Sequence, residues 1–298
     1  MTVGGTLAVF GGASQIGRAL AETAPPPGWR LLLLSRAAAD ITDAGAVAAA
    51  LAGSAARVVL NAAAFTAVDR AETEREAAFA VNCDGAALVA AAAAARGLPV
   101  IHISSDYVFA GTKRQPYVEA DAAVPVSVYG ASKLAGERAV LDANERAAVL
   151  RTAWLFGAHN ANFARSILRL ASQRDEIGVV DDQIGCPTAA GDLAAAVWAL
   201  APRLATAEDA DLFGVFHCCG DDVVSRHQFA AAVLAEAAAL GVDVARLKAI
   251  PTSAYPLPAA RPAYSALSCA RLRTVHGIGP LPWRRSLAAC VARLLGEP

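Results

Sequence analysis

The chain has no excess of charge of either sign. Its 26 Lys and Arg stand against 27 Asp and Glu in 298 residues, a formal net charge of −1. No basic run stands out, which argues against a nucleic-acid surface built on clustered cations. Long apolar runs are also missing. The alanine-rich stretch Ala86–Ala95 is too short for a membrane span and is flanked by Asp84 and Arg96. The N-terminal apolar stretch lacks a basic n-region and is broken at Gly11, so it is not read as a signal peptide. Among the six cysteines (Cys83, Cys186, Cys218, Cys219, Cys269 and Cys290) there is no Cys-x-x-Cys. That disfavours a zinc or redox motif and leaves reduced, mostly buried thiols of a cytoplasmic protein. There is no low-complexity linker and no internal repeat.

What is present is apolar but small. Hydrophobic residues make up 56% of the chain, much of it alanine, which favours helices. The length suits one large α/β domain or two unequal lobes. Leu7–Phe10 reads as a strand, Gly11–Gly17 as a glycine loop and Arg18–Thr23 as a helix. Small residues there let a backbone approach a pyrophosphate, whose charge the helix N-terminus favours. Leu31–Leu34 is a second strand, ending in Ser35-Arg36. An acidic residue near that point would suit a ribose 2′-hydroxyl, whereas Arg36 accommodates a 2′-phosphate. The cofactor expected is therefore NADPH, with NADH left open.

Further strands are expected at Arg57–Leu60, Pro99–Ser104, Ala148–Arg151 and Gly214–His217. Helices are expected at Glu74–Arg96, Leu134–Asn144, Asn162–Gln173 and Gly191–Leu200, from Ser225 to about Leu240, and near Trp283–Leu295. Asp181–Thr188 reads as a loop, and His102 and His217 as structural. The alternation predicts an α/β fold: a Rossmann-type doubly wound parallel sheet. The expected division is a dinucleotide-binding domain over 1–155 and a smaller substrate lobe over 156–298, some of whose segments return to the first domain.

The chemistry concentrates between Ser104 and Lys133. Tyr129 and Lys133 are four residues apart, one above the other on a helix face. A neighbouring ammonium favours the phenolate and is expected to bring the tyrosine toward the working pH range. Such a pair can protonate a carbonyl oxygen while a hydride reaches its carbon. The Ser105 hydroxyl can hydrogen-bond the same oxygen.

These motifs, in order along nearly the whole chain, resemble the extended short-chain dehydrogenase/reductases and, within them, the dTDP-4-dehydrorhamnose reductases. The most specific blocks are Asn61–Asp69 and Ser104–Phe109. Others are Gly11–Gly17, Val128–Glu137, Asp182–Thr188 and Arg261-Pro262-Ala263-Tyr264-Ser265. The resemblance implies that Tyr129 is the general acid, that Lys133 holds the nicotinamide ribose and that Ser105 polarises the C4 carbonyl. It implies that Ser14, Gln15, Ile16, Asp40, Ile41, Ala63, Ala64 and Thr66 line the cofactor. It further implies that Asp106, Tyr107 and Trp154 contact a nucleotide-linked 4-keto sugar. Three positions depart from the family: Ser14 replaces a usual Gly, Ser105 a usual Thr, and Ser35-Arg36 a usual Asp. Carboxylates for the magnesium ion that some members bind at a dimer contact are not identifiable, so no metal site is predicted. Monomer and homodimer both remain open.

Rival expectations differ in particular residues. Related dehydratases follow the catalytic hydroxyl residue with an Asp-Glu pair, and here Asp106 is followed by Tyr107. A reductase of another nucleotide-linked 4-keto-deoxysugar stays open. So does a non-catalytic NADP-binding subunit of the kind that partners methionine adenosyltransferase.

Overall fold

The structure, a computed structural model, describes residues 4–296. Strand β1 (Gly5–Phe10) ends in four fully buried residues, Leu7–Phe10. Leu7 and Val9 enter the core on one side of the sheet, Ala8 and Phe10 the core on the other. Burial on both faces explains the unbroken apolar run where a half-exposed strand would alternate. The chain continues through α1 (Gln15–Glu22), β2 (Trp29–Leu34), α2 (Ala44–Ala52), β3 (Ala56–Asn61), α3 (Val68–Ala71) and α4 (Arg75–Phe79). A π-helical turn, Ala80–Gly85, leads into α5 (Ala86–Ala94), followed by β4 (Val100–Ser105), α6 (Val128–Ala143) and β5 (Ala147–Thr152).

Beyond β5 the elements shorten. They are β6 (Leu155–Phe156), α7 (Phe163–Ala171), β7 (Glu176–Val180), β8 (Ile184–Gly185), β9 (Thr188–Ala189), α8 (Ala190–Ala205), β10 (Gly214–His217), β11 (Val224–Ser225), α9 (Arg226–Ala239), β12 (Arg246–Ile250), α10 (Ala270–His276) and α11 (Trp283–Gly296). The main sheet has the order β10-β5-β4-β3-β1-β2, every pair parallel. After β1 the chain goes to β2 on one side, then crosses to β3 on the other. That reversal leaves a crevice at the carboxyl ends of β1 and β3, where open parallel sheets bind ligands. Helices α1 and α8 cover one face, and α2, α5 and α6 the other. A separate core under α7, α9 and α11 is centred on Phe156, Phe229 and Trp283. The pairs β7–β12, β8–β11 and β6–β9 flank it.

The doubly wound sheet expected from the sequence is observed, with differences in detail. Asp181–Thr188 is not all loop, because β8 pairs with β11 and β9 with β6. The Ser225 cap is present as a full capping box with Gln228. The helix expected at Glu74–Arg96 is a single helical run over 75–94, of 20 residues. By length and composition it is apolar enough to cross a membrane, contrary to the reading of its alanines alone. Its second half is packed in the core, with Ala86, Val89, Ala90 and Ala93 buried against α2 and α6.

The π-helical turn inside that run has a mechanical role. It carries Asn82, whose Oδ1 accepts the Phe65 N–H at 2.8 Å and whose Nδ2 donates to Phe65 O at 3.0 Å and Ser132 Oγ at 2.9 Å. One side chain thereby ties the loop after β3 to α6. Gly136 of α6 faces the Asn82 carbonyl so closely that a methyl group there would overlap it. Replacing Gly136 by Ala should therefore force α6 off this contact and cost about 1–3 kcal/mol. Urea unfolding of the two proteins measures this, and equal midpoints would mean that the helices can separate freely.

Candidate active site

A cleft of about 920 Å³ runs along the carboxyl ends of the main sheet, from the glycine loop to the segment before Arg261. At one end Gly11 adopts φ +82° and stands so close to the next strand that a Cβ would lie 2.5 Å from Ala63 N. Only glycine fits that turn comfortably. Ser14 caps α1, its hydroxyl accepting the Gly17 N–H at 3.1 Å. Gln15 lines the cleft, and its Oε1 is buried with no protein partner among the described residues. Arg36 lies at the rim, 83% exposed, with Nε 2.9 Å from Asp40 Oδ2. A close backbone approach at Gly11, the N-terminus of α1, a buried amide oxygen without a protein partner and a rim cation are features that a phosphorylated dinucleotide uses, so these residues fit that cofactor.

All but one of the residues singled out from the sequence line this cleft: Gly11, Ser14, Gln15, Ile16, Arg36, Asp40, Ile41, Ala63, Ala64 and Thr66 on the cofactor side, and Ser105, Asp106, Tyr107, Tyr129, Lys133 and Trp154 beyond. The exception is Gly17. It sits behind the loop, packed on the Gly12 backbone, and shapes the turn without facing the cleft.

The reactive group forms where β4 ends and α6 begins. Ser127 caps α6, accepting the Gly130 N–H at 3.1 Å, so Tyr129 falls in the first turn with Lys133 one turn later. The Ser105 hydroxyl and the Tyr129 phenol line the same stretch of the cleft. The expectation that Lys133 lowers the tyrosine is not met. Burial raises the Tyr129 phenol, Ser105 being the one group that opposes this. The Lys133 ammonium is directed elsewhere, donating to Ile103 O at 2.7 Å. Burial brings Lys133 down to about 8, opposed by Glu137. Helical spacing gives adjacency, but desolvation decides the titration. Under Lys133 lies a buried ion pair. Arg151 Nε and Nη2 donate to the two Glu137 oxygens at 2.9 and 2.7 Å, and Ser104 Oγ donates to Glu137 Oε1 at 2.5 Å.

The far side of the cleft is polar. Asp106 is 2% exposed and accepts from Ser105 Oγ at 3.0 Å and Ser265 Oγ at 2.6 Å. Burial still raises its carboxyl to about 6. The Tyr107 ring meets Tyr129 edge-on at 5.6 Å, and Arg226 and Arg261 line the same side of the cleft. Arg261 is held by Asp69 through two bonds of 3.0 and 2.8 Å. Arg226 lies 3.7 Å over the Trp154 ring, and Trp154 itself has φ +47°, a strained value of the kind that collects at functional sites.

Asp106 gives a signed pH prediction. The unfolded carboxyl titrates near 3.8 and the folded one near 6. Between those values the native state holds the extra proton, so stability falls as pH rises through the window. Asp106→Asn removes the penalty, since either serine hydroxyl can rotate to satisfy the amide. The variant should match wild type near pH 4 and exceed it by about 2 kcal/mol above pH 7. Denaturant midpoints at the two pH values test this, and a constant offset would assign the effect to packing instead.

Arg226 was not anticipated from the sequence. It is 97 positions from Tyr129 in the chain, and its only local signal is its place directly after the Ser225 cap. Gln183 also lines the cleft, and its amide donates to Thr252 Oγ1 at 3.1 Å.

The sequence profile of the RmlD substrate binding domain matches residues 5–295. A dTDP-4-dehydrorhamnose reductase of Sinorhizobium fredii is 43% identical over 291 residues, which cover 98% of this chain and 98% of that one. Two solved structures are similar throughout. The dTDP-4-dehydrorhamnose reductase of Clostridium acetobutylicum superposes with a TM-score of 0.89 at 32% identity, covering 97% of this chain and 99% of the other. The enzyme of the same description from Bacillus anthracis, solved in complex with NADP, gives 0.89 at 30% identity, with 97% and 99% covered.

Proposed function

From the premise that the chain belongs to the RmlD family of dTDP-4-dehydrorhamnose reductases, we infer that it is an NADPH-dependent oxidoreductase that reduces the C4 ketone of dTDP-4-dehydro-6-deoxy-L-mannose to give dTDP-L-rhamnose. The observation that carries this reading is the meeting of Ser105, Tyr129 and Lys133 in one cleft, between a glycine loop and two arginines. When bound, NADPH supplies the hydride. Tyr129 stays protonated at neutral pH because it is buried, which suits a proton donor to the ketone oxygen. The Ser105 hydroxyl and the charge of Lys133 stabilise the phenolate that remains. Asp106, Tyr107 and Trp154 bound the space for the sugar. Arg226 and Arg261 present positive charge to the diphosphate.

Arg36 supports selection of the 2′-phosphate of NADPH, although its partner Asp40 brings a carboxylate to the same rim. The two-lobe division at about residue 155 belongs to this reading as well. It is supported by the separate core under α7, α9 and α11, with α8 and β10 returning to the main sheet. The near-balanced charge favours a small-molecule partner over nucleic acid. Six cysteines in no disulfide fit a cytoplasmic enzyme.

The test is to incubate purified protein with NADPH or NADH and the dTDP-4-keto-6-deoxy sugar made by the upstream dehydratase and epimerase. Loss of reduced-nicotinamide absorbance is followed. Oxidation that depends on the epimerase, with dTDP-L-rhamnose as product, is the expected result. Cofactor binding without oxidation would overturn it in favour of another keto sugar or a regulatory subunit.

A further inference from the structure

Three of the six thiols converge behind the wall of the active site. Cys186 lies between β8 and β9, Cys219 two residues beyond β10, and Cys269 directly before α10. The Cys219 and Cys269 sulfurs are 3.6 Å apart, and Cys186 belongs to the same packed cluster. A second cavity, of about 240 Å³, is lined by Cys186 and Cys269 together with Asp221, Ser268 and Arg273. Cys219 lies behind these and is fully buried.

We propose that Cys269 and Cys219 form a dithiol that small hydroperoxides oxidise to a disulfide, with Cys269 as the attacked sulfur and Cys219 as the resolving one. The placement assigns the roles. Cys269 faces a cavity that admits a molecule the size of hydrogen peroxide, whereas Cys219 is fully buried and does not line it. The Cys269 sulfur also accepts the Cys219 backbone N–H at 3.4 Å. The titration tendencies run the same way: hydrogen bonds from Cys219 lower Cys269 against the opposing effects of burial and Glu119, whereas Cys219 is raised.

The chemistry balances with the hydroperoxide as the only oxidant. The Cys269 thiolate attacks one peroxide oxygen and the O–O bond breaks. The departing alkoxide, or hydroxide from hydrogen peroxide, takes the proton that the Cys269 thiol gave up. Cys269 is then a sulfenic acid. The Cys219 sulfur attacks it, the S–O bond breaks, and hydroxide leaves with the Cys219 proton as water. Two thiols are oxidised to one disulfide, and one hydroperoxide is reduced to an alcohol and water.

Closing the bond draws the sulfurs from 3.6 Å to about 2.0 Å. The packed cluster that contains them includes Phe109, Leu134 and Ala153. These residues adjoin the Ser105–Tyr107 turn, Lys133 and Trp154 in sequence. Oxidation therefore repacks the support of the reacting groups and is expected to slow turnover until a thiol reductant restores it.

The experiment exposes the folded full-length protein to hydrogen peroxide, removes the peroxide with catalase, and then alkylates in denaturant for peptide mass spectrometry. The expected result is a linked pair of peptides joining Cys219 to Cys269, reversed by dithiothreitol, with the other four of the six cysteines alkylated. Both thiols remaining alkylatable would overturn the proposal, as would a bridge to Cys186 or oxidation confined to the half-buried Cys83. In Cys219→Ser, a dimedone adduct on Cys269 is expected, and an adduct elsewhere would refute its role as the attacked sulfur. The wild-type mapping needs no variant and no substrate, so it stands apart from the reductase reading.

Discussion

Tyr129→Phe should lower turnover by about 10²–10⁴-fold while leaving cofactor affinity within a few-fold of wild type, the range expected when a single positioned proton donor is removed. The buried phenol stays protonated and lines the cleft beside Ser105. Its ring, which the substitution keeps, also packs edge-on against Tyr107. The variant therefore loses an oxygen and a proton with little change in shape. NADPH binding followed by fluorescence, set beside steady-state oxidation with the keto sugar, separates the two effects. A fall in kcat with KM nearly unchanged marks an interaction that matters in the transition state. Equal rates would remove Tyr129 from the mechanism and leave water or Asp106 as the donor. Ser105→Ala should cost less, because Ser105 shares its hydroxyl with Asp106 and the Tyr107 N–H.

The legibility of this site in the sequence follows the range of the interactions. Tyr129 and Lys133 are one helical turn apart, and Gly11–Gly17 sits between a strand and a helix, so local spacing sufficed for both. The acidity of Tyr129 was not legible. It depends on how much water the rest of the fold removes, and that outweighed the adjacent ammonium. The π-helical turn was hidden for a related reason. Ala80–Gly85 carries weak helix formers (Val81, Asn82, Cys83, Asp84 and Gly85) but no local mark of a π turn, and its widening accompanies the close approach of Gly136 on a helix some fifty positions later. Strands β7 and β12 hydrogen-bond each other outside the main sheet, 70 positions apart at Glu176 and Arg246, and each alternates polar and apolar positions over only five residues, too short a stretch to stand out from its surroundings. Helix α2, nearly all alanine and glycine, offers no amphipathic stripe, and only the Asp43 cap marks its start. Arg226 and Arg261 come to the cleft from separate segments, brought there by tertiary packing.

Arg151→Met should be the most damaging single substitution to the fold, at about 3–5 kcal/mol, because it leaves a carboxylate buried without its cation. Glu137 and Arg151 are 2% and 4% exposed. Their two parallel bonds join α6 to β5 next to the point where β4 and β5 pair as Ser104↔Arg151. With the arginine gone, Glu137 keeps the Ser104 hydroxyl and the longer-range field of Lys133, whose ammonium is turned to Ile103 O, and neither replaces a paired guanidinium. The pair's net contribution is a separate matter. Removing both charges in Glu137→Gln with Arg151→Met should recover stability to within about 1 kcal/mol of wild type, since burying two ions is itself costly. Guanidinium unfolding of the four proteins closes a double-mutant cycle, in which a large positive coupling is expected. A loss below about 1 kcal/mol in the single variant would mean that water reaches the pair. The activity of the double variant then asks what the pair does beyond stability. Lys133 stands one turn before Glu137 on α6, so a stable fold with reduced kcat would show that the ion pair positions Lys133. A stable fold with unchanged kcat would confine the pair to fastening α6 onto β5.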